Sequence, residues 1–88
     1  MLSLISGYSL AVFEKTVGKI ILNLRKQRKL SQEDLADLID SHQVYISEIE
    51  RGMKLPSLRT LYNLAHAFGM TLTDLVAIID RDLSDMAD

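Results

Sequence analysis

The part of this sequence that most constrains its fold is residues 32–51, which read QEDLADLIDSHQVYISEIER. Leu35 and Ile39 are four residues apart, so they lie on one face of a helix. Ile46 and Ile49 are three residues apart and share a helical face in the same way. The two patterns predict two short amphipathic helices, each with an apolar face that must be covered.

The link between these two helices is Asp40-Ser41-His42, which leaves room for a turn and nothing longer. The small Ala36 lies where two helices have to approach each other closely. Two helices joined by such a turn are typical of a helix-turn-helix, whose second helix lies in the major groove of DNA. The spacing therefore favours nucleic-acid binding.

Apolar spacing in the rest of the chain predicts three more helices and no sheet, so the expected fold is all-α, a compact five-helix bundle. Ser31 and Thr71 are each followed three positions on by an aspartate, as in a capping box, and Ser41 is the N-cap candidate of the third helix. Gly52 and Gly69 are expected just past helix ends. The predicted helices span about 14–28, 31–39, 41–52, 57–68 and 71–83.

The core is predicted from the apolar stripes of these helices. The stripe of the first helix is Val17, Ile20, Ile21 and Leu24. The stripe of the fourth helix is Leu58, Leu61, Leu64, Ala65 and Phe68. The stripe of the fifth helix is Leu72, Leu75, Val76 and Ile79. Each stripe recurs at helical spacing, so one side of each helix is expected to face the bundle.

The two ends lie outside the predicted DNA-binding domain of residues 14–83. Residues 1–13 are an N-terminal extension that forms an extra helix, a strand pairing with a second chain or a frayed tail, and residues 84–88 form an acidic solvated tail. No basic segment precedes the apolar start, as a signal peptide requires, and no apolar run approaches the ~20 residues of a membrane span. The chain has no cysteine, which agrees with a cytoplasmic protein.

The net charge of −2 argues at first sight against a nucleic-acid binder, but the charges are segregated along the chain. Residues 16–31 carry five basic side chains and no acidic one. Residues 74–88 carry five aspartates against a single arginine. A basic end can face phosphate while the acidic end faces away, which orients a protein on DNA.

The outer side of the third predicted helix carries side chains suited to reading bases. Plotted at about 100° per residue, a cluster lies on a different side from the apolar face and consists of Gln43, Val44, Ser47, Glu48 and Arg51. We call the first four of these residues the reader face. Gln43 suits an adenine edge, Val44 a thymine methyl group and Glu48 the N4 amino group of cytosine. A carboxylate is repelled by phosphate, so Glu48 is either a cytosine reader or merely exposed.

Phosphate contacts are predicted around this face. The residues are Arg28, Lys29, Gln32, His42, Tyr45 and Arg51. For some of them a structural role remains open. Tyr45 either contacts phosphate or packs against the fourth helix, and His42 either contacts phosphate or completes the turn. The basic residues around Arg28 and Lys29 are alternatively an ordinary solvated helix end, which the helix dipole favours.

Residues 18–76 resemble the phage-repressor-like helix-turn-helix family, known as the Xre or Cro family. The matching phrases, in order, are LRKQRKLSQEDLA, VYISEIERG and PSLRTLYNLAHAFG followed by TLTDL. The resemblance implies a lambda-repressor-like bundle and a dimeric regulator of transcription. It also implies that Gln32 braces the start of the third helix and that Arg25 and Glu50 form a structural pair. Asp40 departs from the usual glycine of the turn and is expected in a left-handed conformation.

The function that follows is a sequence-specific repressor or autoregulator that binds double-stranded DNA with a palindromic operator, as a homodimer. The alternative is an antitoxin or adaptor whose main partner is another protein. An enzyme is rejected, and no cofactor or metal is expected, because His42 and His66 lack nucleophile or ligand partners at recognisable spacing. The predicted dimer surface is the stripe Leu75, Val76, Ile79 and Leu83, and residues 1–13 are the second candidate. The alternative for the stripe is that it forms the last core face of the bundle.

Overall fold

Five α-helices follow one another in the computed structural model, which describes residues 9–86. They are α1 (Leu10–Gln27), α2 (Gln32–Leu38), α3 (Gln43–Glu50), α4 (Leu58–Ala67) and α5 (Leu72–Met86). This part of the chain contains no strand. The all-α, five-helix architecture predicted from the sequence is confirmed.

The two ends of the bundle are more helical than the sequence predicts. Helix α1 begins at Leu10 rather than near residue 14, because the Ser9 hydroxyl caps it by accepting a hydrogen bond from the Val12 amide at 3.3 Å. Helix α5 continues to Met86, so the first residues of the predicted acidic tail are helical. Of the predicted N-terminal extension, residues 1–13, residues 10–13 are part of α1. Residues 1–8 lie outside the described residues, as do residues 87–88, and the three alternatives for residues 1–8 stay predictions.

Helix α2 begins with the predicted capping box, whereas α3 does not begin with the predicted cap. The Asp34 amide donates to the Ser31 hydroxyl at 2.9 Å, and the Ser31 amide donates to the Asp34 carboxylate at 3.0 Å, which lowers the pKa of Asp34. The prediction that Ser41 caps α3 is wrong, because the N-cap is His42, whose side chain makes no capping bond. Ser41 is engaged at the end of α2, where its amide donates to the Ala36 carbonyl at 2.8 Å.

Helices α1 to α4 all end in the same backbone motif, with one residue in the left-handed region. These residues are Lys29 (φ 56°), Asp40 (φ 55°), Gly52 (φ 74°) and Gly69 (φ 75°). The amide after each of them donates to a carbonyl five residues back, which is the Schellman ending. The expected left-handed conformation of Asp40 is confirmed, whereas the same conformation at Lys29 was not expected.

All five helices contribute to one core. Its buried apolar residues are Val17, Ile20, Ile21, Leu24, Leu35, Ala36, Ile46, Ile49, Leu64, Ala65, Phe68, Leu75, Ile79 and Leu83. The predicted inward position of Leu58 is wrong, since its side chain is 67% exposed. Leu58 opens α4 and shares a helical face with the exposed Tyr62 four residues on. The predicted inward position of Val76 is also wrong, because Val76 lies about 100° around α5 from the buried Leu75 and is 42% exposed.

Helices α1 and α3 approach most closely at Gly18, which the sequence did not single out. A Cβ atom placed on Gly18 would lie 2.8 Å from the carbonyl oxygen of Glu50 and closer still to that of Ile49. Both are backbone atoms within α3, so they cannot move aside as a flexible side chain would. The missing side chain at Gly18 therefore sets the distance between α1 and α3.

We expect Gly18→Ala to lower the free energy of unfolding by about 1–3 kcal/mol, because the added methyl group overpacks the α1–α3 contact. This loss appears although alanine is the better helix former by about 1 kcal/mol. Urea unfolding followed by circular dichroism measures it. Gly69→Ala is the matched control, because its Cβ would meet no atom within 4 Å and only its positive φ is penalised. An unchanged or raised stability of Gly18→Ala contradicts the close approach.

Candidate nucleic-acid interface

The reader face lies on the outer side of α3, as the sequence predicts for these positions. On the opposite side, Ile46 and Ile49 are fully buried and fix the rotation of the helix about its axis. Gln43 and Val44 are exposed, and Val44 leaves 61% of its surface open. The other two reader-face residues are half-buried. The fold thus brings the four side chains together on one surface.

A chain of hydrogen bonds connects α1, α2 and α3 behind this surface. Arg25 donates from Nε to Glu50 Oε2 at 2.6 Å and from Nη2 to Glu50 Oε1 at 3.0 Å. Gln32 Nε2 donates to the same Oε1 at 2.9 Å. Gln43 Nε2 in turn donates to Gln32 Oε1 at 2.5 Å. The two residues named as a structural pair from the sequence therefore form a two-pronged ion pair that continues into the reader face.

The Arg25–Glu50 ion pair is shielded from water. The side chain of Arg25 is 11% exposed and that of Glu50 is 4% exposed. The hydrogen bond that Arg25 donates to Glu50 raises the pKa of the Arg25 guanidinium above its ordinary value, against the opposing effect of burial. Arg25 also donates from Nη1 to the Leu30 carbonyl at 2.9 Å, so the guanidinium ties the α1–α2 turn to the end of α3.

The hydrogen bond that Gln43 donates to Gln32 orients the side-chain amide of Gln43. One Nε2–H of Gln43 is used in the bond to Gln32, which leaves its second N–H and its Oε1. A donor and an acceptor side by side are what the N7 and N6 groups of adenine require for two hydrogen bonds. Gln43 is thus held ready for a bidentate contact of this chemistry.

Two further interactions lie at the C-terminal end of the reader face. Lys54 Nζ is 3.4 Å from Glu48 Oε1, and the two side chains are 56% and 24% exposed. Arg51 donates from Nε to the Ser47 hydroxyl at 3.2 Å and to the Ser47 carbonyl at 3.3 Å. The position of Lys54 beside Glu48 could not be predicted from the sequence, because the helical periodicity of α3 does not extend to the turn that follows it.

The predicted phosphate contacts are spread over different environments. Lys29, His42 and Arg51 are exposed. Arg28 is half-buried instead; its Nε donates to the Phe68 carbonyl at 2.6 Å, and its guanidinium lies 5.5 Å from the centre of the Phe68 ring. Tyr45 is half-buried and packs against the core.

The predicted dimer surface on α5 is wrong for three of its four residues. Leu75, Ile79 and Leu83 are 0%, 7% and 8% exposed and form part of the core. The reason is that α5 packs against both α1 and α4, which cover this stripe. Within the described residues no helix is long and apolar enough to cross a membrane.

Comparisons of this chain with known proteins all indicate the same family. A family model described as helix-turn-helix matches residues 21–75. The HTH-type transcriptional regulator y4dJ of Sinorhizobium fredii is 38% identical over 67 residues, which cover 76% of this chain and 87% of that protein. The immunity repressor protein of Bacillus phage phi105 is 41% identical over 61 residues, which cover 69% of this chain but only 42% of the repressor.

A solved structure extends this likeness to three dimensions. The restriction-modification controller protein C.AhdI from Aeromonas hydrophila matches with a TM-score of 0.72 at 29% sequence identity. The match covers 77% of this chain and 99% of that one. The fold of most of this chain is therefore shared with that protein along nearly its whole length.

We expect Arg25→Met to lower the free energy of unfolding by about 3–5 kcal/mol, because the buried Glu50 carboxylate loses its compensating charge. Lys54→Met is the matched control, since it breaks an exposed ion pair and is expected to cost about 1 kcal/mol or less. Urea unfolding of both variants measures the difference. Equal losses in the two variants contradict a structural role for the buried pair.

Proposed function

Since this chain belongs to the Xre/Cro-like helix-turn-helix family of DNA-binding transcription regulators, we propose that it is a sequence-specific repressor or autoregulator that binds a palindromic operator as a homodimer. The observation that carries the proposal is the polar outer face of α3, held in place by the hydrogen-bond chain from Arg25 to Gln43. Helix α3 enters the major groove. We assign the protein to the cytoplasm, where its DNA is accessible.

The reader face supplies the base contacts. The oriented amide of Gln43 binds an adenine edge, and the exposed methyl groups of Val44 contact a thymine methyl group. Glu48 accepts from cytosine N4, while the Ser47 hydroxyl, which already accepts from Arg51, bonds a neighbouring base edge. Base contacts of this kind set sequence preference, whereas contacts to phosphate set position.

The phosphate contacts come from exposed groups beside this face. We propose Lys29, His42 and Arg51 for this role, because their side chains are exposed. Gln32 braces Gln43 by accepting its hydrogen bond. Arg28 is already bonded to the turn after α4, so we propose that it stabilises the bundle rather than contacting phosphate.

The small number of base contacts that one copy of α3 can make favours a homodimer. The helix has eight residues, of which four form the reader face. Each good base contact is worth about 1–3 kcal/mol, so one copy discriminates poorly among the many sites of a genome. Two copies related by a two-fold axis double the contacts and require an inverted repeat in the DNA.

A second candidate function is an antitoxin or adaptor module whose main partner is another protein. The observation in its favour is the apolar outer side of α4, where Leu58 and Tyr62 are 67% and 50% exposed. Apolar side chains grouped on a surface are suited to protein contact. This candidate does not require any preferred DNA sequence.

Selection of bound sequences from a random duplex pool at physiological salt tests the proposal. We expect an enriched inverted repeat whose half-site centres lie about 34 Å apart, one turn of B-DNA. Adding five base pairs between the half-sites should abolish tight binding, because it rotates one half-site to the opposite side of the duplex. Binding that tolerates this insertion contradicts the homodimer. A pool without enrichment favours the protein-partner function.

We expect Gln43→Ala to weaken binding to the selected operator by about 1–3 kcal/mol and to relax one base position in each half-site. Lys29→Ala should weaken binding to specific and random duplexes alike and reduce the salt dependence, because it removes a phosphate contact. Titrations with both duplexes over a range of salt concentrations separate the two effects. If the two variants behave identically on both duplexes, the assigned roles are wrong.

A further inference from the structure

The carboxylate of Glu48 is an electrostatic difficulty for the proposed function. It lies on the reader face, 24% exposed, and would approach the negative potential of DNA. A flexible and uncompensated carboxylate at this place would be repelled by every sequence. Glu48 reads cytosine only if its charge is offset and its orientation is fixed.

The turn after α3 brings a positive charge to this carboxylate. Gly52 takes the left-handed conformation, and the Met53 amide then donates to the Glu48 carbonyl at 2.9 Å. The chain thereby folds back over the last turn of α3. Lys54 follows directly, and its Nζ lies 3.4 Å from Glu48 Oε1. The turn after α3 therefore brings residue 54 close to Glu48, and the lysine side chain completes the ion pair.

Two other basic residues near this face, Arg51 and Arg25, bond to groups other than the Glu48 carboxylate. Arg51 is directed back along α3, where its Nε donates to the hydroxyl and carbonyl of Ser47. Arg25 is directed to Glu50. Among the described residues, Lys54 is the cation within ion-pair distance of Glu48.

We propose that Lys54 determines the base preference at the position read by Glu48. Its ammonium group holds the carboxylate in one orientation and offsets its charge, so that the carboxylate can accept from cytosine N4 in the groove. Lys54 is in this sense a positioning residue that acts through Glu48. The inference rests on the proposed function and adds the specificity of one operator position.

A plain phosphate contact by Lys54 would behave differently. Loss of a phosphate contact weakens binding to all sequences by the same factor and does not depend on the residue at position 48. Loss of a positioning residue changes the ranking of the four base pairs at one position. The second effect disappears when Glu48 can no longer read that position, so the two roles are separated by a double-mutant cycle.

The test begins with the operator recovered from the random pool by the unmodified protein. Glu48→Gln identifies the operator position whose base preference depends on this residue. Dissociation constants are then measured for all four base pairs at that position, at fixed salt, for the unmodified protein, Lys54→Met, Lys54→Arg and the double variant Glu48→Gln with Lys54→Met. Lys19→Met, an exposed lysine of α1, controls for the loss of one positive charge.

We expect Lys54→Met to reduce the preference for cytosine by about fivefold or more, the lower end of what one base contact supplies. Lys54→Arg should retain the preference, and Lys19→Met should leave the ranking of bases unchanged. In the Glu48→Gln background, Lys54→Met should not alter the ranking further.

Two results overturn the inference while leaving sequence-specific binding intact. One is that Lys54→Met lowers affinity equally for all four base pairs, with and without Glu48→Gln. The other is that Glu48→Gln changes no base preference at any position. If the unmodified protein enriches no sequence, the proposed function itself fails and this inference fails with it.

Discussion

The ion pair between Arg25 and Glu50 is the interaction on which the rest of the structure depends. It joins the end of α1 to the end of α3. Glu50 Oε1 also accepts a hydrogen bond from the side-chain amide of Gln32, at the start of α2. Three helices are thereby fixed relative to one another by one carboxylate. Burial makes this arrangement sensitive, since the loss of either charge leaves the other without compensation in a poorly solvated place.

The same pair connects stability to recognition. Because Gln32 is held by Glu50, it can in turn hold Gln43, whose outward-facing groups belong to the reader face. A change at Arg25 is therefore expected to disturb the surface of α3 without touching it. The close packing of α1 on α3 at Gly18 supports this connection, because it keeps the two helix backbones at one distance.

Much of the fold could be predicted from the sequence because the signals are local. Apolar spacing, capping serines and the glycines at helix ends act within a few residues of each other, and they gave all five helices. Errors arose where one residue had two competing partners. Ser41 has the side chain of an N-cap, but its amide is needed to end α2, so His42 takes the N-cap position of α3 without a capping bond from its side chain.

The candidate site was less predictable because its contacts join distant parts of the chain. The bond from Arg28 to the Phe68 carbonyl spans forty residues, and no local pattern reveals it. From the sequence, the stripe on α5 fits a dimer surface and a core face equally, because apolar spacing alone does not say what covers a helix face. The placement of Lys54 beside Glu48 depends on the turn at Gly52. The glycine predicts that α3 ends there, but it does not predict that the chain then folds back towards Glu48.

The Schellman endings after α1 to α4 also bear on the time that the protein needs to become active. Each ending completes its hydrogen bonds within a few residues, so neighbouring helices are joined without ordering a long loop. Helical chains with mainly local contacts fold in microseconds to milliseconds. Under the proposed homodimer, a new copy is therefore folded well before it meets a second copy. The delay between synthesis and occupation of the operator is then set by the concentration of the chain and not by its folding.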